Sequence, residues 1–436
     1  MKIVHVAPFF YPVEGGMERH IYYLSKEILR RHPEYSISIV TCDRKHNGEV
    51  IAQKHEVLEG IEIYREKALL QKSFITYFPG LRKRLEELNP DIIHVHAYRH
   101  PHVKIALNYA NKHGKKIIFT PFAIFTNSAE LPFKNRLYYT FYDKFLSSKK
   151  FFNKFNGIIA LTHFEKDALV KLGADAAKVS VIPCGGCSFT PIKADLCKAD
   201  NNFDSNCDNN NPKNNCSKEP DLDKLFKGLK GNKSQKGKFI IGSLSRIHPS
   251  KGLDTLIRAL AEPGLKDLDW VYLIVGPDSN NYLNTLLALA NSLGILDKVV
   301  YLGAINYKKK EFFENLDLFV SPSKAEALGM TLVEAQSLGV VSIGSDFPAV
   351  REVVLDGKTG FLVKFGDSKA LADKIRLLIN DKKIKNELSK NPKHYSIQWS
   401  WKNLTDCVEK VYAGENVDFY ANIDNSVNWS RKINKL

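Results

Sequence analysis

The chain alternates short apolar runs with amphipathic stretches over most of its length. In the first half, apolar runs typical of buried strands occur at Ile3–Ala7, Ile37–Thr41, Ile61–Tyr64, Ile92–His96, Ile117–Thr120, Ile158–Leu161 and Val179–Ile182. Segments with a helical spacing of apolar residues lie between most of them, at Glu18–Arg30, Leu81–Leu88, His102–Asn111 and Glu165–Leu172. Buried strands that alternate with helices predict βαβ units and a parallel sheet.

The same alternation returns in the second half. Strands are predicted at Phe239–Leu244, Val271–Val275, Val299–Leu302, Leu318–Ser321, Val340–Ile343 and Phe361–Val363. Helices are predicted at Leu253–Ala261, Tyr282–Leu293, Lys309–Asn315, Thr331–Leu338 and Ser368–Ile379. A chain of 436 residues also exceeds the length that one hydrophobic core usually serves. We therefore predict an α/β protein with two facing Rossmann-like domains and a cleft between them.

The two halves are separated by a segment of different composition. Residues 188–237 are rich in Asn, Asp, Lys and Ser and contain few apolar residues, so they cannot bury enough surface to offset their ordering entropy. We predict a first domain over 1–187, a disordered insertion over 188–237 and a second domain over 238–398. An amphipathic helix at 399–412 follows, and a polar, loose tail is predicted for 413–436.

Composition and charge narrow the cellular location and the class of binding partner that we expect. The sequence has no run of 18 apolar residues, and its first residues do not resemble a signal peptide, which favours a cytoplasmic location. The net charge is +15, and the residues up to Gly185 hold 28 Lys and Arg against 18 Asp and Glu, a surplus of 10. Such a surplus fits a solvated lysine-rich surface, an anionic membrane or a nucleic acid.

Two clusters mix aromatic and cationic residues in the first half. One occupies 134–155, where Tyr138, Tyr142, Phe145, Phe152 and Phe155 can share a helical stripe beside several lysines. The second consists of Phe74, Tyr77 and Phe78, followed by Arg82, Lys83 and Arg84. An aromatic stripe is more often core, but aromatics beside cations also fit an interfacial helix. We expect peripheral attachment to the anionic cytoplasmic face of a membrane.

The seven cysteines do not predict a framework of disulfide bonds. Their number is odd, and the later spacings of Cys184, Cys187, Cys197, Cys207 and Cys216 fit no common zinc pattern. We therefore expect no metal ion and no cofactor.

Candidate ligand-binding residues follow the predicted strands, because ligands of parallel sheets bind beyond the carboxyl ends of the strands. After the first strand, Gly15 and Gly16 allow close backbone approach, and the helix start offers N–H groups to an anion. His94 and His96 end the fourth strand. His94 is interpreted as structural, whereas His96 at the carboxyl end is expected to project into the cleft. A plain turn and a core histidine are the alternative interpretations.

Charged residues follow the strands of the second half. Arg246 and Lys251 lie five residues apart before a predicted helix, which suits a diphosphate. Glu326 lies in a later loop, and Glu334 lies about one turn into the helix after Gly329. Carboxylates accept hydrogen bonds from vicinal hydroxyls, so both are candidates for contacts with a sugar. The alternative is that these charges are only solvated.

Together these loops resemble the retaining glycosyltransferases of family 4, which have the GT-B fold, over nearly the whole chain apart from the insertion and the tail. The resemblance implies that Glu326 contacts the transferred sugar, Glu334 the ribose, and His96 the donor sugar. It implies that Arg246 and Lys251 hold the diphosphate near Gly15 and Gly16. Further donor contacts are implied for Gly276, Ala304, Ile305, Leu328, Gly329, Met330 and Thr331. The amphipathic helix at 399–412 resembles the one that crosses back to the first domain.

The chain departs from that family at three places. Thr120-Pro-Phe122-Ala123 replaces a common His-Gly pair, Cys184 replaces a frequent Asn, and the 50-residue insertion is unusual. The resemblance implies a retaining, metal-independent hexosyltransferase in which the leaving phosphate takes the proton of the acceptor. The donor would be a UDP- or GDP-linked sugar and the acceptor a lipid-linked or glycan hydroxyl.

Two other classes fit less well. An NAD-dependent dehydrogenase would need a Gly-x-Gly-x-x-Gly fingerprint, which the first loop lacks. A nucleic-acid-binding protein would need a basic stripe with base-reading groups, whereas here the cations are mixed with acids and aromatics. We therefore expect no nucleic-acid partner.

Overall fold

A computed structural model of the chain describes residues 1–13, 15–72, 75–122, 149–185, 220–231, 237–278, 281–305 and 308–422. The described residues separate into two compact units. The first unit contains those up to 185 together with those from 398 to 422, and the second contains those from 220 to 397. The predictions for Phe74, Ala123, Tyr138, Tyr142 and Phe145 lie outside the described residues, as do those for Cys187, Cys197, Cys207 and Cys216.

The first unit is built on an eight-stranded sheet. Its strands are β1 (Lys2–Val6), β2 (Ser36–Cys42), β3 (His55–Leu58), β4 (Ile61–Glu66), β7 (Ile92–His96), β8 (Lys116–Thr120), β9 (Gly157–Ala160) and β10 (Val179–Val181), with β5 (Leu70–Lys72) and β6 (Ile75–Tyr77) forming a separate hairpin. The order across the sheet is β10, β9, β8, β7, β1, β2, β4, β3. Only β3, at the edge, runs antiparallel among the described strands of this sheet.

Helices pack against this sheet, and apart from α4, which was not predicted as a separate helix, their bounds follow those predicted to within a few residues. They are α1 (Gly16–Arg31), α2 (Leu81–Leu88), α3 (Pro101–His113), α4 (Lys149–Phe152) and α5 (His163–Lys171). Leu85 of α2, Val103 and Leu107 of α3 and Leu169 of α5 enter one core with Val6 and Val95 from the strands. The apolar residues with helical spacing in the sequence are therefore the ones that the helices bury against the sheet.

The second unit has a six-stranded, all-parallel sheet. Its strands are β11 (Phe239–Leu244), β12 (Trp270–Val275), β13 (Val299–Tyr301), β14 (Leu318–Ser321), β15 (Ser342–Ser345) and β16 (Gly360–Val363), in the order β13, β12, β11, β14, β15, β16. Its helices are α6 (Leu222–Lys230), α7 (Leu253–Leu260), α8 (Tyr282–Ser292), α9 (Lys309–Glu314), α10 (Met330–Ser337), α11 (Pro348–Arg351), α12 (Ser368–Asn380) and α13 (Lys382–Ser396).

The prediction of disorder over 188–237 is wrong for the part that the structure describes. Residues 222–230 form α6, whose N-cap Asp221 accepts a hydrogen bond from the Lys224 amide. Leu222 and Phe226, one turn apart, are buried at 0% and 3% exposure. These two apolar side chains supply the buried face that the composition of the whole segment concealed.

The end of the described chain returns to the first unit. The helix predicted at 399–412 corresponds to α14 (Trp401–Ala413), which packs against α1. Arg31 of α1 pairs with Asp406 and Glu409 of α14. The prediction of a loose tail is wrong for 414–422, because Val417 and Phe419 are buried and both exchange backbone hydrogen bonds with Val181 at the sheet edge. Among the described residues, no helix combines the length and the apolar character that crossing a bilayer requires.

Candidate donor-binding site

In the second unit, the predicted site residues lie at the carboxyl ends of neighbouring strands. Arg246 and Lys251 follow β11, Gly276 follows β12, Ala304 and Ile305 follow β13, and Glu326 and Gly329 follow β14. Because all six strands are parallel, these loops share one edge of the sheet.

An ion pair joins two of these loops. Lys251 Nζ lies 2.6 Å from Glu326 Oε1, and the two side chains are only 19% and 20% exposed. The Lys324 amide also donates to the Ser250 carbonyl at 2.9 Å, which ties the loop backbones together. The structure therefore places a cation and a carboxylate side by side at the edge where the sequence predicted a diphosphate and a sugar. Arg246, which lies in the same loop as Lys251, is exposed.

Gly276 connects the loops after β11, β12 and β13. Its φ is +136°, and a Cβ there would lie 1.8 Å from the Ser245 carbonyl oxygen, so only glycine fits. The Gly276 amide donates to the Gly303 carbonyl at 2.8 Å, and Tyr301 Oη donates to the Gly276 carbonyl at 2.8 Å. This glycine therefore sets the close packing of three loops, an explanation that requires no ligand.

The α10 helix carries the second predicted carboxylate. Gly329 is its N-cap with φ +93°, and Met330 and Thr331 in its first turn are half-buried. Glu334 is buried, and both of its oxygens lie 3.4 Å from Lys309 Nζ of α9. The side chains of Ile305 and Leu328 are 4% and 1% exposed, so only their backbone could meet a ligand, whereas Ala304 is exposed.

In the first unit, Gly15 is the N-cap of α1 and Gly16 its exposed first residue. The side chain of His96, which was expected to project into the cleft, is completely buried. His96 Nε2 lies 3.0 Å from His5 Nδ1, within hydrogen-bonding distance. The interpretation of His94 as structural agrees with its contacts, since its two ring nitrogens lie 2.8 Å from Tyr412 Oη and Thr120 Oγ1.

Burial keeps these imidazoles neutral. Burial lowers the pKa of His5 to about 3, with a further contribution from His20, and lowers the pKa of His20 and of His102 to about 4. The pKa values of His94 and His96 also fall well below 6.5, first through burial and then through the neighbouring histidines. A protonated ring would lose its hydration without a counter-charge.

These rings also form the one group in the described chain that could hold a metal ion. Ligand atoms of His5, His94 and His96 lie within 4.8 Å of one another. Hydrogen bonds to Tyr412 and Thr120 engage both ring nitrogens of His94, whereas the buried His5 Nε2 and His96 Nδ1 have no hydrogen-bond partner in the part of the chain that the structure describes. Cys184 is a buried free thiol whose pKa burial raises to about 12, which disfavours the thiolate that a metal needs.

Sequence reasoning missed His5 and Lys309. His5 stands directly opposite His94 in the β1–β7 register, so two polar residues in otherwise apolar strands were the available signal. Lys309 belongs to the run Lys308–Lys310, which has the appearance of a solvated helix start and gave no signal.

The loop after β7 holds strained backbone. Ala97 and Arg99 have φ values of +71° and +65°, and Phe122 after β8 has +50°. Hydrogen bonds from Ala97 and Tyr98 to the carbonyls of Thr120 and Pro121 hold the two loops together. Non-glycine residues in this region cost energy and are common at functional sites.

The fold and this arrangement define a protein of the GT-B class. Anabaena Alr3699/HepE, solved in complex with UDP-glucose, aligns with a TM-score of 0.67 and 18% identity over 95% of this chain and 99% of that one. The family model described as "Glycosyltransferase Family 4" matches residues 14–185, and that described as "Glycosyl transferases group 1" matches 228–395. The chain belongs to glycosyltransferase family 4.

Two curated relatives illustrate the range of the family. A GDP-mannose-dependent alpha-(1-6)-phosphatidylinositol monomannoside mannosyltransferase of Mycolicibacterium smegmatis is 31% identical over 40% of this chain and 48% of its own length. The phosphatidylinositol N-acetylglucosaminyltransferase gpi3 subunit of Schizosaccharomyces pombe is 24% identical over 93% of this chain and 79% of its own length. The chain spans less than half the length of the first of these, as of other relatives with comparable identity.

Proposed function

We propose that the protein is a glycosyltransferase that moves a hexose from a UDP- or GDP-linked donor to a hydroxyl acceptor. The observation that carries the proposal is the Lys251–Glu326 pair at the carboxyl edge of the second sheet. A diphosphate arriving there would draw on Lys251 and the exposed Arg246, and Glu326 would be released to accept hydrogen bonds from the sugar. Family membership and a neighbour of the same fold that binds UDP-glucose support this donor class.

The reaction we propose retains the anomeric configuration and uses no metal ion. Negative charge develops on the leaving diphosphate, and Arg246, Lys251 and nearby backbone N–H groups would stabilise it in place of a cation. The bond from the anomeric carbon to the diphosphate oxygen breaks as the bond to the acceptor oxygen forms on the same face. The leaving phosphate takes the proton of the acceptor.

A thermal-shift panel of UDP, GDP, ADP and their sugars tests donor binding. A ligand at 100 times its Kd stabilises the native state by about 2.7 kcal/mol. We expect one nucleoside diphosphate to raise the melting temperature of the wild type and of Lys310→Met, an exposed ion-pair residue of α9. The same ligand should shift Lys251→Met much less. If no nucleotide shifts the wild type, the proposed donor class is wrong.

We also propose a lipid-linked acceptor and peripheral attachment to anionic membranes, in which Tyr77 of the predicted residues acts together with Leu69 and Leu70. Phe151, Phe152, Phe155 and Phe78 are buried in the core. Arg82, Lys83 and Arg84 are paired with Glu86, Glu87 and Glu66. The β5–β6 hairpin remains, since Leu70 and Tyr77 face each other across it at 60% and 39% exposure, next to Leu69 at 63%.

Co-sedimentation with anionic vesicles tests this attachment. Replacing Leu69 and Leu70 with Ser should release the protein, because two exposed leucines each contribute on the order of 1.5–3 kcal/mol when buried. Val57→Ser removes an equally exposed apolar residue from β3 and should have no effect. Equal binding by all three proteins would contradict the hairpin, and no binding by the wild type would favour a soluble acceptor.

A further inference from the structure

Three histidines near the carboxyl end of the first sheet lie on one face of that sheet. His94 and His96 are two residues apart in β7, so their side chains point to the same side. His5 of β1 stands directly opposite His94 in the parallel register. All three residues are completely buried. Two neighbouring strands thus bring three imidazole rings together in the interior of the first unit.

The distances between the rings suit a small metal ion. His5 Nδ1 and His96 Nε2 lie 3.0 Å apart, and one nitrogen from each of the three rings lies within 4.8 Å of the other two. Zinc–nitrogen bonds of about 2.0–2.1 Å place tetrahedral ligand nitrogens about 3.3 Å apart. The His5–His96 spacing is close to that value, and His94 needs to approach by no more than about 1.5 Å.

Hydrogen bonding does not account for histidines at two of these positions. A neutral imidazole has one N–H donor and one acceptor nitrogen, so the bond between His5 and His96 uses a donor of one ring and an acceptor of the other. The remaining nitrogens, His5 Nε2 and His96 Nδ1, are buried without a partner in the described part of the chain, which is unfavourable. A metal ion between the rings would replace their single hydrogen bond by two metal–nitrogen bonds.

The state of the rings also suits metal ligands. A histidine binds a metal as the neutral imidazole, and burial keeps all three rings neutral because it lowers their pKa values. His94 is oriented by Tyr412 Oη and Thr120 Oγ1, each 2.8 Å from a ring nitrogen. Metal-bound histidines commonly donate their other ring N–H to such an outer partner. One of the two contacts therefore orients the ligand, and the other gives way to the ion.

We propose that His5, His94 and His96 bind one zinc ion in the first unit. Imidazole nitrogens suit Zn²⁺, and a hydroxide in the fourth position lowers the charge of the buried centre. The ion joins the ends of β1 and β7 and so holds the loops that carry Gly15 and the strained Ala97. The expectation of no metal ion rested on the cysteines, and this set contains none of them. The role is structural, so the inference is independent of the proposed function.

Refolding with and without zinc tests the proposal. Because the site is completely buried, the full chain is unfolded in guanidinium chloride with EDTA and refolded with either Zn²⁺ or EDTA. A final wash with EDTA removes ions from the surface. We expect about one zinc per folded chain by mass spectrometry, and X-ray absorption should show nitrogen at about 2.0–2.1 Å without sulfur at about 2.3 Å. The zinc-refolded protein should also melt at a higher temperature, since a ligand of the native state stabilises it.

Single substitutions locate the ion. His5→Gln and His96→Gln each remove a ligand and should lose both the zinc and the rise in melting temperature. His102→Gln is the control matched for burial, because His102 is buried next to His96 but lies outside the ligand set. The exposed His248→Gln controls for zinc at the surface. Both control variants should retain the zinc, and circular dichroism shows whether each variant is folded.

Three results would overturn the site. They are a refolded wild type without zinc, zinc retained by both His5→Gln and His96→Gln, and sulfur among the zinc ligands, which would indicate cysteines instead. X-ray absorption of the wild type identifies the ligands even where a histidine variant fails to fold. None of these results would affect the proposed binding of a donor in the second unit.

Discussion

The two sheets present polar groups at their carboxyl ends in opposite ways. At the edge of the first sheet, histidines lie completely buried, neutral and in contact with one another, as His5 and His96 show. At the edge of the second, lysines and glutamates form ion pairs that are partly open to solvent, as in Lys251–Glu326. A lysine in an ion pair can exchange its carboxylate partner for a phosphate. A neutral, buried histidine ring cannot bind a phosphate unless the surrounding structure rearranges. We therefore expect anion binding at the second sheet and acid sensitivity at the first.

The largest effect we predict is a loss of stability in acid. His5, His20 and His102 have pKa values of about 3, 4 and 4 in the folded protein, below the usual 6.5. Above pH 6.5 neither state binds the protons. As the pH falls toward 4, the unfolded chain takes up protons that the folded chain refuses, so the free energy of unfolding decreases. Each such histidine contributes about 1.4 kcal/mol per pH unit.

Urea unfolding at pH 7.5, 6.0 and 5.0, followed by circular dichroism, measures this loss. His102→Gln should flatten the pH dependence by about one proton, because one titrating ring is removed. The exposed His248 of the second unit provides the control, and His248→Gln should leave the slope unchanged. A midpoint that stays constant from pH 7.5 to 5.0 would show that the buried histidines do not carry the described linkage.

The next effect concerns the charged edge. Arg246→Ala or Lys251→Ala should cost about 2–4 kcal/mol of transition-state stabilisation, a roughly 30- to 1000-fold loss in kcat/KM. Steady-state kinetics with the donor identified by the thermal-shift panel measures the loss. Lys310→Ala is the matched control. Near-normal turnover in both site variants would contradict the proposal that the diphosphate binds at this edge.

The two carboxylates at that edge should separate by function. We expect Glu326→Gln to abolish nearly all transfer while the free nucleotide still binds, because this carboxylate lies in the loop assigned to the sugar. Glu334→Ala should weaken nucleotide binding by about 10- to 100-fold, the range for hydrogen bonds to a charged group. Calorimetry with the nucleotide and transfer assays with the full donor distinguish them. Equal loss of nucleotide affinity in both variants would contradict the division.

The smallest predicted effect is a gain in stability in the first unit. Ala97 has φ +71°, where an L-residue costs about 1–2 kcal/mol and glycine costs little, although glycine also loses more chain entropy. Ala97→Gly should therefore stabilise the protein by about 0.5–1 kcal/mol. Ala106→Gly within α3 is the control and should destabilise by about 1 kcal/mol. A destabilised Ala97→Gly would show that the loop is not strained.

The sequence predicted the strands and helices whose residues show a local periodicity. It missed the elements that depend on packing between segments far apart in the chain. β11, β14 and α2 have the predicted bounds because a buried strand and an amphipathic helix each have a local signature. The edge strand β3 and the hairpin β5–β6 escaped notice because exposed strands lack a continuous apolar run. The burial of Val417 and Phe419 was missed because it depends on their hydrogen bonds with Val181 of β10, which is distant in the sequence.

The site shows the same division. Lys251, Glu326 and Glu334 were predicted because residue type and position after a strand are visible in the sequence. Their partners were not all visible, since Lys309 reaches Glu334 from a helix 25 residues away and His5 reaches His96 across 91 residues. The burial of His96 was not foreseen because the position of a residue at a strand end does not reveal which rings will cover it.

Hydrogen–deuterium exchange with and without the stabilising nucleoside diphosphate tests the central claim most directly. We predict slower exchange in the backbone of residues 246–252, 302–305 and 322–334 of the second unit, because these segments form the charged edge. The strands β1 and β7 around the buried histidines should change little. Protection confined to the first unit, with the second-unit loops unaffected, would contradict the assignment of the donor to the second sheet.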